Sequence, residues 1–120
     1  ALKPVLSTEE LLRLQDQVSD VLVEDAVAEY MLTIVRRTRE HDQVQLGASP
    51  RGSLLYFEAC QARALVEGRD YVTPGDAKRM AEPVLGHRIL IKSRGADLSA
   101  AARERARVIT EIVKSVPVPE

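Results

Sequence analysis

The sequence predicts an all-α fold, a bundle of four to five helices, from three observations. Apolar residues recur at helical spacing, most clearly Val27, Tyr30, Met31, Ile34 and Val35 at i, i+3, i+4, i+7 and i+8. Helix-start signals stand ahead of the periodic stretches: Ser7-x-x-Glu10, Ser49-Pro50 and Thr73-Pro74-x-Asp76. Trp is absent and aromatics make up 3% of residues, so the core must be aliphatic, which suits packed helices. At most one very short two-stranded pairing is expected, Val21–Val23 with Tyr71–Val72. A chain of 120 residues, 45% hydrophobic and 29% charged, makes one globular domain over 1–120, with 1–6 read as a linker and 116–120 as a tail. The chain opens without an initiator Met and reads as a piece of something longer.

Taken in order, Ser7 caps a first helix from about Thr8 to Val18, with Glu10 reaching back and Leu11, Leu14 and Val18 on one face. A second helix begins near Glu24 or Asp25 and carries the strongest periodic stripe; Arg36, Arg37 and Arg39 suit its negative C-terminal end. His41 follows in the connection without a metal-spaced partner. The third helix spans Pro50 to about Glu67, with Leu55, Ala59, Ala62 and Val66 as its apolar row, Leu54, Phe57 and Leu65 widening it, and Gly68 as its stop. Cys60 reads as a small buried hydrophobe.

Thr73 caps the fourth helix, where Ala77, Met80, Ala81, Val84 and Leu85 face inward and Pro83 kinks or divides it. Ile89-Leu90-Ile91 continues that apolar surface, and His87-Arg88 could reach an anion. Ser93 to Asp97 reads as a polar loop. Ser99 then caps a last helix through about Ser115, with Ala102, Ala106, Ile109, Ile112 and Val113 inward and an Arg107–Glu111 pair outside.

Charge narrows the function. The formal net charge is −1, which gives no overall attraction to nucleic acid or an anionic membrane. The first 30 residues hold Lys3 and Arg13 against seven acids, so the rest of the chain is net basic. One cysteine rules out an internal disulfide and fits a reducing compartment, and no apolar run reaches the length of a membrane span, so the expected location is the cytoplasm.

Catalytic spacings are missing: one Cys, two distant His, no HExxH and no CxxC, so no metal site is expected. Gly47 to Gly52 imitates the opening of a GxxxxGK[ST] phosphate loop, but Ser53 replaces the lysine and Pro50 removes an N–H. The chain therefore has no nucleotide-hydrolysing site of its own. Within the same stretch Ser49 is an N-cap, Pro50 occupies the first helical position and Arg51 the second. An arginine there sits beside the positive end of the helix dipole, so it either extends into water or faces an anion. Arg51 is the candidate site residue, with Ser49 and Pro50 positioning it.

Four markers fall in one order: Thr38-Arg39-Glu40-His41, Gly47-Ala48-Ser49-Pro50-Arg51, Glu67-Gly68-Arg69-Asp70-Tyr71-Val72-Thr73-Pro74 and Pro83-Val84-Leu85-Gly86-His87-Arg88. Together they resemble the C-terminal helical lid of the MoxR family of AAA+ ATPases, over nearly the whole chain. The resemblance implies a lid that follows an α/β nucleotide-binding core and closes over ATP. It gives Arg51 the sensor 2 role toward the γ-phosphate, with Ser49 and Pro50 setting its position. It further implies ATP and Mg2+ held by that core and none by the chain alone. The implied partners are the chain's own core, neighbouring subunits of a ring and a protein with a von Willebrand A domain, in a chaperone-like remodelling ATPase; Arg36, Arg37, Arg39 and Arg88 are possible neighbour contacts. Gly52 stands where the family commonly has Ala, and Ser93 to Ala102 is longer than usual. The rival reading is a histone-fold-like or other helical DNA- or protein-binding module, suggested by Gly-Arg-x-Tyr-Val-Thr-Pro-x-Asp before a helix and disfavoured by the charge.

Overall fold

Helix starts fall where a side chain can take up the first free N–H groups. The structure, a computed structural model, describes residues 7–92 and 98–119. The expected linker 1–6 and the polar loop 93–97 lie outside the described residues. Five helices dominate: α1 Thr8–Ser19, α2 Asp25–Glu40, α3 Pro50–Val66, α4 Pro74–Met80 and α5 Leu98–Ser115. The all-α reading holds. Ser7 Oγ accepts from the Glu10 N–H at 3.1 Å, but Glu10 answers the Ser7 hydroxyl, not its backbone. Thr73 and Asp76 form the full reciprocal box at the start of α4.

The core gathers on α2, α3, the end of α4 and α5. Val27, Tyr30, Met31, Ile34 and Val35 are all buried, together with Thr38, which the apolar pattern could not flag. On α3 the expected row is wrong. The buried positions are Gly52, Tyr56, Cys60 and Ala64, while Val66 is 85% and Leu54 59% exposed. Small residues on this row let the helices approach closely, and the one large member is satisfied: the Tyr56 hydroxyl donates to the Ala77 carbonyl at 2.6 Å. Leu55, Phe57, Ala59 and Ala62 instead line an open groove of about 740 Å³ shared with α1. α1 buries no residue, and its Leu11, Leu12 and Leu14 stay exposed.

Gly68, at φ +80°, closes α3: the Arg69 N–H donates to the Ala64 carbonyl and the Gly68 N–H to the Leu65 carbonyl, the double bond of a Schellman turn. α4 widens at Ala81–Leu85 into a π turn that contains Pro83. Proline offers no N–H and its ring displaces the carbonyl four residues back; one extra residue per turn absorbs both faults. Ala81 and Leu85 thereby stay in the core.

The strand pairing differs from the expectation. Leu22 and Tyr71 meet only as an isolated parallel bridge. The two-stranded sheet joins β1 Val44–Leu46, for which no strand was expected, to β2 Leu90–Ile91, expected only to continue the apolar surface of the fourth helix; the strands run antiparallel, Val44 opposite Ile91 and Leu46 opposite Leu90. Alternating burial shows why: Ile89 and Ile91 are buried on either side of exposed Leu90, a period of two that no helix face satisfies. On α5, Val108, Ile109 and Ile112 are buried but Ala102 is exposed. Val116, read as tail, is buried at 4% exposure.

Candidate functional site

The approach to α3 is held from two sides by the end of α2. Thr38, fully buried, donates its hydroxyl to the Val35 carbonyl at 2.6 Å and accepts the Ala48 N–H at 3.0 Å. Arg39 donates Nε–H to the Ala48 carbonyl at 2.8 Å and reaches Ser53 Oγ with Nη2 at 3.3 Å. Gly47 packs against the Arg39 backbone so closely that a Cβ there would lie 2.6 Å from the Arg39 Cα. Here glycine is required by contact, not by conformation.

With the loop fixed, the cap forms as the sequence indicates. Ser49 Oγ accepts the Gly52 N–H at 3.1 Å, its carbonyl accepts the Ser53 N–H at 2.9 Å, and Pro50 takes the first helical position. Arg51 follows at the second position, exposed, its guanidinium with no hydrogen bond or ion pair among the described residues. The first turn of α3 carries no acid, so its positive end is uncompensated.

Several other arginines, though not Arg88, are engaged inside the chain. Arg37 reaches the Ser115 hydroxyl at 3.0 Å and Arg36 lies 3.9 Å from Glu29. Arg69 grips Asp76 with two parallel bonds of 2.7 Å and donates to the Tyr71 carbonyl, so the arginine that a DNA-contact reading would use is occupied. Burial acts to raise the carboxyl of Asp76, but the Arg69 bonds and the Thr73 backbone and hydroxyl outweigh it and hold the group below the ordinary carboxylate range. Burial, then the nearby Asp76 charge, pushes the Cys60 thiol up to about 12, in keeping with its reading as a small hydrophobe. His41 accepts the Gln43 N–H on Nδ1 and lies 3.7 Å from Glu111. His87 is exposed with no side-chain partner among the described residues, whereas Arg88 lies against the first turn of α3, its Cδ 3.1 Å from where a Gly52 Cβ would stand. Thr38, Arg39 and Arg88 stand among the sequence motifs without this role; a polar residue on the buried stripe of α2 was the available signal for Thr38. Among the described residues no group of His, Cys, Asp and Glu could hold a metal ion, and no helix is long and apolar enough to cross a membrane.

A helical bundle with a short strand pair presents one arginine from a capped helix start. The AAA lid domain family matches residues 36–100, more than half of the chain. This chain belongs to that family. It is 39% identical over 118 residues to YeaC of Bacillus subtilis (strain 168), covering 98% of this chain and 36% of YeaC. It is 35% identical over 127 residues to the chaperone MoxR1 of Mycobacterium tuberculosis (strain ATCC 25618 / H37Rv), covering 98% of this chain and 33% of MoxR1. The MoxR resemblance drawn from the motifs is thereby borne out. A crystallised candidate ATPase from Cytophaga hutchinsonii ATCC 33406 shares the fold with a TM-score of 0.80 at 24% identity, over 98% of this chain and 38% of that one. The chain spans about a third of the length of these curated relatives. It is an AAA lid domain.

Proposed function

We propose that this lid closes over ATP bound to the nucleotide-binding core of the same protein and that Arg51 is its sensor 2 arginine, directed at the terminal phosphate. The observation that carries the reading is Arg51 itself: a guanidinium with no partner among the described residues, on a helix start held by Thr38, Arg39 and Ser49. The α3 terminus fits one phosphate oxygen better than a whole phosphate cradle. Pro50 has no N–H and Ser49 takes that of Gly52, so recognition falls on the side chain. Arg51 offers two parallel donors and a permanent charge, the combination that suits a phosphate. Bound Mg-ATP would supply the bond that is cleaved; Arg51 would supply compensating charge already oriented toward it. Because that charge rides on a separate domain, its engagement links lid closure to the presence of the phosphate. The same reading makes the full-length protein a cytoplasmic, ring-forming, chaperone-like ATP hydrolase that meets its own core, neighbouring subunits and a protein with a von Willebrand A domain. In the full-length protein, Arg51→Ala should lower ATP turnover by about 10²-fold or more while the unfolding midpoint of the lid moves little, as for other exposed substitutions. Wild-type turnover in that variant would overturn the assignment.

A further inference from the structure

We propose that Arg88 is a second guanidinium directed at the same polyphosphate, working beside Arg51. The inference rests on the reading of Arg51 given above and on how Arg88 is mounted.

Three constraints bring Arg88 to the start of α3. The Arg88 N–H donates to the Leu85 carbonyl at 2.9 Å, which turns the chain as it leaves the π turn. Gly86 just ahead of it packs onto Glu82 so tightly that a Cβ would lie 2.5 Å from the Glu82 carbonyl oxygen. Just after it, Ile89 is buried and Leu90 and Ile91 pair with β1, the strand that leads directly into the Gly47–Arg51 loop. The sheet therefore ties the two arginine-bearing segments to each other. Across this junction the aliphatic stem of Arg88 lies on the buried Gly52, one residue from Arg51.

Gly52 is the telling position. A methyl group there would stand 3.1 Å from Arg88 Cδ, so an alanine would oblige the stem to give by a few tenths of an ångström. The guanidinium of Arg88 has no hydrogen bond or ion pair among the described residues, nor does that of Arg51. Arg51 and the stem of Arg88 both stand at the first turn of α3, the positive end of its dipole, where a cation without an anionic partner is disfavoured. A polyvalent anion such as the phosphate chain of a nucleotide removes that penalty for both.

A stem that merely covers Gly52 would need no charge, and this separates the two roles. In the full-length protein, Arg88→Met keeps the stem and deletes the charge, while Arg88→Lys keeps the charge and loses the paired donors. With Mg-ATP, Arg88→Met should lower turnover at least tenfold and weaken ATP binding more than ADP binding, with an unchanged unfolding midpoint. Arg88→Lys should recover part of the loss. Gly52→Ala should shift turnover in the same direction by displacing the stem. If Arg51→Ala abolishes turnover while Arg88→Met matches wild type, Arg88 is a packing residue and the proposal falls alone. If Arg51→Ala itself turns over at the wild-type rate, the sensor reading falls and takes this proposal with it.

Discussion

Asp76 ties Arg69, Arg63 and the start of α4 together. Its carboxylate is 1% exposed, closes the cap box of α4, accepts two bonds from Arg69 and lies 3.4 Å from Arg63 Nε. Removing one partner of such a pair leaves the other charge uncompensated, so Asp76→Asn should destabilise the domain by about 3 kcal/mol, measured by chemical denaturation. The pH dependence follows from the lowered carboxyl. In acid the unfolded chain takes up this proton before the folded one does, so the pair's contribution is complete above the unfolded value, near 3.9, and is lost as pH falls through the folded value. Wild type should therefore lose stability more steeply below about pH 4 than Asp76→Asn does. Equal slopes would show that Asp76 is not the group being titrated.

At the scale of elements, the tether between α2 and the start of α3 decides whether Arg51 is held in place. Thr38 supplies the acceptor for the buried Ala48 N–H, and valine has the same shape without it. Leaving that N–H unpaired costs about 1–3 kcal/mol. Thr38→Val should thus lower the unfolding midpoint by several degrees, and Thr38→Ser should restore it, as read by calorimetry. Only half of this tether is legible in the sequence. Ser49, Pro50 and Arg51 follow a local rule that depends on residues three apart, whereas Thr38 and Arg39 bind a loop about ten residues away through contacts with no periodic signature. The strand pair was hidden for a similar reason: β1 and β2 have three and two residues, too few for alternation to stand out, and each needs the other to exist.

The whole molecule is a plate of 47 × 45 × 21 Å with a radius of gyration of 16.0 Å, against roughly 13.6 Å for a compact chain of this length. α1 lies at its side against α3 and buries none of its residues, so little burial holds it. In the isolated chain its amides should exchange far faster than those of α2, α3 and α5, as hydrogen exchange would measure. Protection of α1 at the level of α2 would show that it belongs to the same cooperative unit.

By itself the sequence determined the helical class, the caps at Ser7, Ser49 and Thr73, the Gly68 stop, the core stripe of α2 and the placing of Arg51. All of these depend on neighbours within about one helical turn. Only the tertiary structure decided which side of α3 is buried, that the Ile89–Ile91 run is extended, that Arg69 is spent on Asp76, and that Arg39 and Arg88 converge on the start of α3. α3 is apolar on more than one side, and a choice between apolar sides is made by the partners that come to lie on each; those partners stand tens of residues away in the chain.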